Sequence, residues 1–243
     1  MKDRFSNHSK QYAAFRPTYP EPLYDFIYRH VNCFDTAWDA GTGNGQVAGD
    51  LAKRFLKVLA TDISLKQLEN AYPGKNIIYS QTGEVTNFPE KSIDLITVGQ
   101  AIHWFDRDKF YQEVSRVAKP GAILALWGYG LLNINKEIDS HVKHFYTQIV
   151  GPYWDKERKL IDERYQTISF SFEEIKTPEL QFSFLWSLEE LQGYLGTWSS
   201  VQKYILANGI NPADELIKTI QPFWRLEPQM VNFPLFLRIG KIN

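Results

Sequence analysis

Three glycines at alternate positions, Gly41, Gly43 and Gly45, follow the run Ala37-Trp38-Asp39-Ala40. They lead into a segment whose apolar side carries Val47, Leu51 and Phe55. Glycine reaches φ > 0 without steric cost and puts no Cβ between backbone and ligand. A helix starting just after such a turn adds free N–H groups and the positive end of its dipole. The turn is therefore a cradle for a cofactor. A dinucleotide fingerprint G-x-G-x-x-G needs a glycine where this chain has Gln46. No Lys-Ser/Thr follows, so a triphosphate loop is disfavoured as well.

Two carboxylates narrow the choice. Asp39 stands two residues before the first glycine, where it repels a pyrophosphate and suits a cationic ligand with an amino group. Asp62 ends the next apolar run, Val58 to Thr61, the place where an acidic residue accepts both hydroxyls of a ribose. A positively charged nucleoside fits both, and S-adenosylmethionine is that molecule. Ile63 and Val85 are candidates to flank its adenine ring.

Methyl transfer from a sulfonium is one in-line displacement that releases a neutral thioether. It needs no metal, and no C-x-x-C or His/carboxylate metal cluster is present in the sequence. The protein must supply a near-attack geometry, a contribution of ~7–11 kcal/mol, and a dry line of approach. Aromatic faces suit a cationic methyl donor and build such walls. Tyr12, Tyr19, Trp104, Trp127, Tyr129, Trp154 and Trp198 form the pool. Tyr19, Trp104, Trp127 and Trp198 are the candidate acceptor contacts.

The elements that position these residues alternate. Thr36 to Asp39, Val58 to Thr61, Ile77 to Ser80, Ile93 to Val98 and Ala122 to Trp127 read as strands. Helices lie between them, including one opened by Ser64-Leu65-Lys66-Gln67 and one over Asp106 to Val117. This is the pattern of a doubly wound parallel α/β sheet, whose ligands lie beyond the carboxyl ends of the strands. A helix over Glu21 to Val31 precedes it, after the proline-bounded Arg16-Pro17-Thr18-Tyr19-Pro20. Beyond Trp127 the chain reads as helical over 136–165, as a strand over Leu180 to Trp186 and as a helix over Leu188 to Ala207. A last strand spans Val231 to Ile239, with Pro234 arguing for an edge or bulge.

The chain resembles the class I S-adenosylmethionine-dependent methyltransferases, and is similar to their small-molecule branch of methyltransferase type 11 and trans-aconitate-type relatives. The residues that carry the likeness are Asp39 to Gly45, Asp62, Gly83-Glu84, Phe88-Pro89, Gln100-Ala101-Ile102-His103-Trp104 and Lys119-Pro120-Gly121. The resemblance implies a seven-stranded Rossmann-like sheet with an elaborated C-terminal helical cap. It implies one domain over 1–243, made of an arm and helix (1–31), a cofactor-binding core (32–127) and a cap with the last strands (128–243). It also implies roles: Tyr12 and Arg16 in an arm closing over the cofactor or meeting an acidic acceptor, Glu84 at the adenine amino group, Gln100 at the methionine portion, and His103 beside the reacting methyl. A carboxylate acceptor is already ionised and needs no base; a hydroxyl or amine would make His103 the general base.

Composition removes other classes. Across 243 residues, 27 basic groups nearly cancel 28 acidic ones, so no field invites nucleic acid or a membrane surface. The single cysteine, Cys33, suits a reducing cytoplasm, and no apolar run approaches a membrane span or signal sequence. Aromatic residues reach 15%, more than core packing in the C-terminal half explains. The expectation is a cytoplasmic methyltransferase, monomer or homodimer, acting on a small molecule that includes carboxylates among its classes. The alternative is a non-catalytic S-adenosylmethionine-binding protein on the same fold.

Overall fold

The computed structural model describes residue 15 and residues 17–225 and 227–243. Five strands run parallel: β1 (Thr36–Ala40), β2 (Lys57–Asp62), β3 (Ile77–Gln81), β4 (Ile93–Gly99) and β5 (Ala118–Tyr129). Three more follow: β6 (Glu173–Ile175), β7 (Leu180–Trp186) and β8 (Gln229–Lys241). The order is β3-β2-β1-β4-β5-β8-β6, with β7 also paired to β8. β8 lies antiparallel to β5. The expected seven positions are all filled. The sheet counts eight strands because short β6 pairs with the end of β8, at Ile239–Lys241, while β7 pairs with its start, Gln229–Leu235.

Both faces of the sheet are covered, and the two-residue period of the strands shows how. Ala37, Leu95, Ile123 and Ala125 point into one core, with α1 (Glu21–Tyr28) and α2 (Gln46–Leu51) packed there through Leu23, Ile27, Val47 and Leu51. Trp38, Ile96 and Leu124, their neighbours in sequence, point into the other core. There α4 (Arg107–Val117) contributes Phe110, Val114 and Val117, all fully buried. Each such side chain stabilises by about 1.5–3 kcal/mol. Helix α3 (Leu65–Glu69) is short, with Ser64 accepting from Gln67 N at 3.3 Å.

β1 has β2 on one side and β4 on the other, so the crossovers diverge there and leave a crevice at the carboxyl ends of the strands. β5 starts four residues before the expected Ala122, because Ala118 already pairs with Ile93 and the Pro120-Gly121 turn becomes an irregularity within the strand. Pro234 costs β8 little. Its carbonyl accepts from Gly130 N, just past the end of β5, so its missing N–H falls where the ladder has run out.

The cap is made of α5 (Lys136–His144), α6 (Arg158–Asp162), α7 (Leu188–Gly196), α8 (Ser199–Asn208) and α9 (Pro212–Ile220). Two helices expected to be continuous are broken. The 136–165 segment leaves the α form at Phe145, through a π turn and then a 3-10 turn at Gly151-Pro152. The 188–207 segment breaks at Thr197-Trp198, after the weak helix formers Gly193 and Gly196, and Thr197 Oγ1 donates back to the Tyr194 carbonyl. That break turns Trp198 inward against Phe145, Tyr146, Trp154 and Tyr194. Among the described residues no helix is long and apolar enough to cross a membrane.

Candidate active site

The glycine turn is built by what surrounds each glycine. Gly41, Gly43 and Gly45 have φ of 70°, 56° and 77°. A Cβ on Gly41 would lie 2.7 Å from Ala101 Cβ. One on Gly45 would run into the hydroxyl of Tyr79. Gly43 differs, because nothing lies within 4 Å of its absent Cβ. Two of the glycines make room for the protein, and the middle one opens on free space. Thr61 fixes the turn from β2: its carbonyl accepts from Gly41 N at 2.8 Å and Thr42 N at 2.9 Å, and its hydroxyl takes the Trp38 indole N–H at 2.9 Å.

The two carboxylates have different jobs. Asp39 is buried, 1% exposed, and accepts the hydroxyls of Thr42 at 2.5 Å and Thr97 at 2.9 Å. Burial pushes its pKa up to about 6 against those hydroxyls. Asp62 is half-buried and accepts from Gly43 N at 2.9 Å and from Ser64 N at 2.8 Å. These two backbone N–H groups fix the direction of the carboxylate beside the turn.

Downstream loops close around this crevice. Glu84 Oε1 accepts from Asp106 N at 2.9 Å at the start of α4, whose N-cap is Asp106 itself. Thr86 N and hydroxyl both donate to buried Glu113, which pairs with Arg116 at 2.6 Å, so the loop is tied to α4. Ile63 lies beneath Gly83, and Val85 is exposed. Gln100 takes φ 55°, uncommon for a side-chain-bearing residue, and its Oε1 is buried with no donor among the described residues. Its Nε2 donates to the Tyr129 carbonyl at 3.3 Å.

His103 is 4% exposed, with Nδ1 2.9 Å from the hydroxyl of fully buried Tyr165 and its ring 4.6 Å from that of Trp104. Burial, with Arg158 nearby, pushes its pKa down to about 3, so the imidazole is neutral. His103 and Gln100 line a cavity whose other wall is the cap: Trp154, Arg158, Tyr194, Trp198 and Ser199. Its free space is only about 50 Å³, so the cap is closed down on the loop.

Comparison with known proteins agrees with this geometry. A family described as a methyltransferase domain matches residues 38–126, the stretch from β1 through β5. A Dictyostelium discoideum protein classed as a methyltransferase is 36% identical over 249 residues, covering 98% of this chain and 95% of that protein. A solved structure from Anaeromyxobacter dehalogenans, described as a type II methyltransferase, is 33% identical with a TM-score of 0.86. That match covers 93% of this chain and 98% of the other. The chain belongs to the class I S-adenosylmethionine-dependent methyltransferases.

In this methyltransferase the expected residues fall into groups. Asp39 and Asp62 lie in the last residues of β1 and β2, and Gly41, Gly43, Gly45, Ile63, Glu84, Val85 and Gln100 lie on the turn or the loops just beyond the strand ends, as a cofactor cradle requires. The open space at Gly43 and the fixed carboxylate of Asp62 fit a nucleoside with hydroxyl donors, while the buried Oε1 of Gln100 faces Gly128 of β5. His103, Trp104 and Trp198 line the cavity. Trp127 stands apart: it is fully buried, meets Tyr19 edge-on at 5.5 Å and fills the space over Gly99, so it backs the site as core. Tyr19 is half-buried against Trp127, Tyr129 and Phe182. Tyr12 and Arg16 lie outside the described residues.

Several site residues were not singled out from the sequence. Arg158, Tyr194 and Ser199 sit in segments without motif, and only folding brings them to the cavity. Gln46, the residue that breaks the dinucleotide fingerprint, reaches the Pro17 carbonyl with its side-chain amide, a long contact at 3.4 Å. Phe15 packs against the cap where a Gly193 side chain would be. Among the described residues, Cys33, Asp35 and Asp94 form a group with metal-ligand spacing. The Lys119 ammonium already sits on it, 3.1 Å from Asp35 and 2.8 Å from Asp94.

Proposed function

We propose that this methyltransferase binds S-adenosylmethionine across the glycine turn and transfers its methyl group to a small-molecule acceptor under the cap, with carboxylates the favoured class. The observation that carries the reading is the alignment of two features at the strand ends: open backbone at Gly43 beside Asp62, and a closed aromatic cavity beyond Gln100 and His103. A space enclosed by cap helices and the β4–α4 loop favours a small acceptor over a polymer. The cofactor supplies, when bound, a methyl group on a positively charged sulfur.

The protein's own residues do the rest. Asp62 binds the ribose hydroxyls, held by Gly43 and Ser64. Asp39 holds Thr42 and Thr97 and places negative charge behind the turn. Gln100, anchored through its Nε2 to the Tyr129 carbonyl, forms the wall between the glycine turn and the cavity. Trp104, Trp154 and Trp198 exclude water. A group with a pKa of about 3 is too weak to take a proton from a hydroxyl or amine near neutrality, so His103 acts as a neutral hydrogen-bonding partner, positioned by Tyr165. That favours an acceptor already ionised. We read residues 1–243 as one functional unit, at work in the cytoplasm, where its single thiol stays reduced.

The test is incubation with S-adenosylmethionine and pools of small carboxylic acids, alcohols and amines, with mass-spectrometric detection of S-adenosylhomocysteine and methylated product. Methyl esters from the acid pool are the expected result. Turnover confined to the alcohols or amines overturns the carboxylate assignment. Cofactor binding without turnover of any pool favours the non-catalytic reading.

A further inference from the structure

We propose that Arg158 is the specificity-determining anchor of the acceptor site, receiving the carboxylate of an acid whose flat apolar body rests against the cap tryptophans. The inference rests on the reading of the cavity as the acceptor site.

Arg158 opens α6, and its guanidinium lies over the Trp154 ring, 4.7 Å from the centroid, and over Tyr146 at 5.4 Å. Its Nε donates to the Tyr146 hydroxyl at 2.8 Å, and that hydroxyl donates in turn to Asp162 at 2.6 Å. One edge of the fork is thereby fixed. The other is not: among the described residues neither terminal nitrogen donates to a protein acceptor. The side chain is 19% exposed and lines the cavity with His103.

The neighbouring charges leave this cation available. Asp155, on the same wall, is paired with Lys203 at 2.7 Å. Asp162 is 48% exposed, 3.8 Å from Nε, and accepts the Tyr146 hydroxyl. His103 is neutral and adds no positive charge of its own. A guanidinium with a fixed stem and two free donors is pre-organised for bidentate contact with a carboxylate. Stacking on Trp154 holds it in plane without using those donors. Trp104 beside His103 and Trp154 on the cap are the aromatic surfaces on the cavity wall, with buried Trp198 packed behind Trp154, and a free space of about 50 Å³ requires the cap to open to admit the body of the acid.

The experiment uses full-length protein and trans-cinnamate, its neutral amide cinnamamide, and acetate, with binding read from tryptophan fluorescence. Titrations are run on free protein and on protein saturated with S-adenosylhomocysteine. Cinnamate should bind at least about tenfold more tightly than either comparison compound. Arg158→Gln should remove that preference, and Arg158→Lys should retain part of it while leaving S-adenosylhomocysteine affinity unchanged. Equal binding of cinnamate and cinnamamide overturns the proposal. So does undiminished cinnamate binding by Arg158→Gln, or no binding of cinnamate to either form of the wild type. Failure to bind S-adenosylhomocysteine would strike the proposed function instead, and the cinnamate titration of free protein would still decide the role of Arg158.

Discussion

The backbone N–H of Gly43 donates to Asp62 Oδ2 at 2.9 Å, so the middle glycine of the turn and the acid at the end of β2 form one unit. The contact explains how a carboxylate on a half-exposed strand end holds a fixed direction toward the crevice. Asp62→Ala removes both this tie and the ribose acceptor. Affinity for S-adenosylhomocysteine should fall roughly tenfold to a hundredfold, matching ~1.5–3 kcal/mol for charge-assisted hydrogen bonds. Isothermal calorimetry measures it, and an unchanged affinity would remove Asp62 from the ribose site.

The three glycines separate into structural and binding positions. Gly45→Ala places a methyl group against the Tyr79 hydroxyl at φ 77°, where a side chain is already strained. A loss of about 2–3 kcal/mol in urea denaturation is expected, part of it recovered by adding Tyr79→Ala. Gly43→Ala meets no protein atom and should cost only about 1 kcal/mol of folding, while impairing S-adenosylhomocysteine binding far more. Equal effects of the two substitutions on stability would contradict the distinction.

Asp39 and His103 give stability opposite dependences on pH. Asp39 has a pKa of about 6 in the folded protein against ~3.9 unfolded, so the folded state holds the extra proton between these values and stability falls as pH rises through them. His103 has a pKa of about 3 against ~6.5 unfolded, so the unfolded state holds the extra proton and stability rises with pH over that range. The two contributions offset each other between about pH 4 and 6. Relative to wild type, Asp39→Asn should therefore gain stability as pH rises across this window, and His103→Gln should lose it. Denaturation midpoints at half-unit steps of pH check the slopes. Parallel slopes for both variants would refute the assignments.

What the sequence made legible follows from how local the signal is. Strands β1 to β4 were readable within about two residues, because continuous burial in a parallel sheet demands mainly apolar stretches such as Ile93 to Val98, broken only by the buried polar residues Asp94 and Thr97. The glycine turn, Asp39 and Asp62 were readable because backbone geometry and ligand chemistry both act on adjacent residues. The cap was not. Its helices break at Phe145 and, after Gly193 and Gly196, at Thr197, and the period of the apolar residues runs through both breaks. Arg158 carries no local mark of its role, since its partners Tyr146 and Trp154 are set by how α6 packs within the cap. Trp127 shows the converse: a tryptophan at a strand end looked like an acceptor contact, but Tyr19 and Tyr24 cover it.

The most direct test of the central claim is parallel calorimetric titration of wild type and Asp62→Ala with S-adenosylmethionine, S-adenosylhomocysteine and NAD. Saturable one-site binding of both adenosyl ligands, weakened in the variant, with no heat from NAD, is the predicted result. Binding of NAD, or no binding of either adenosyl ligand to wild type, would contradict it.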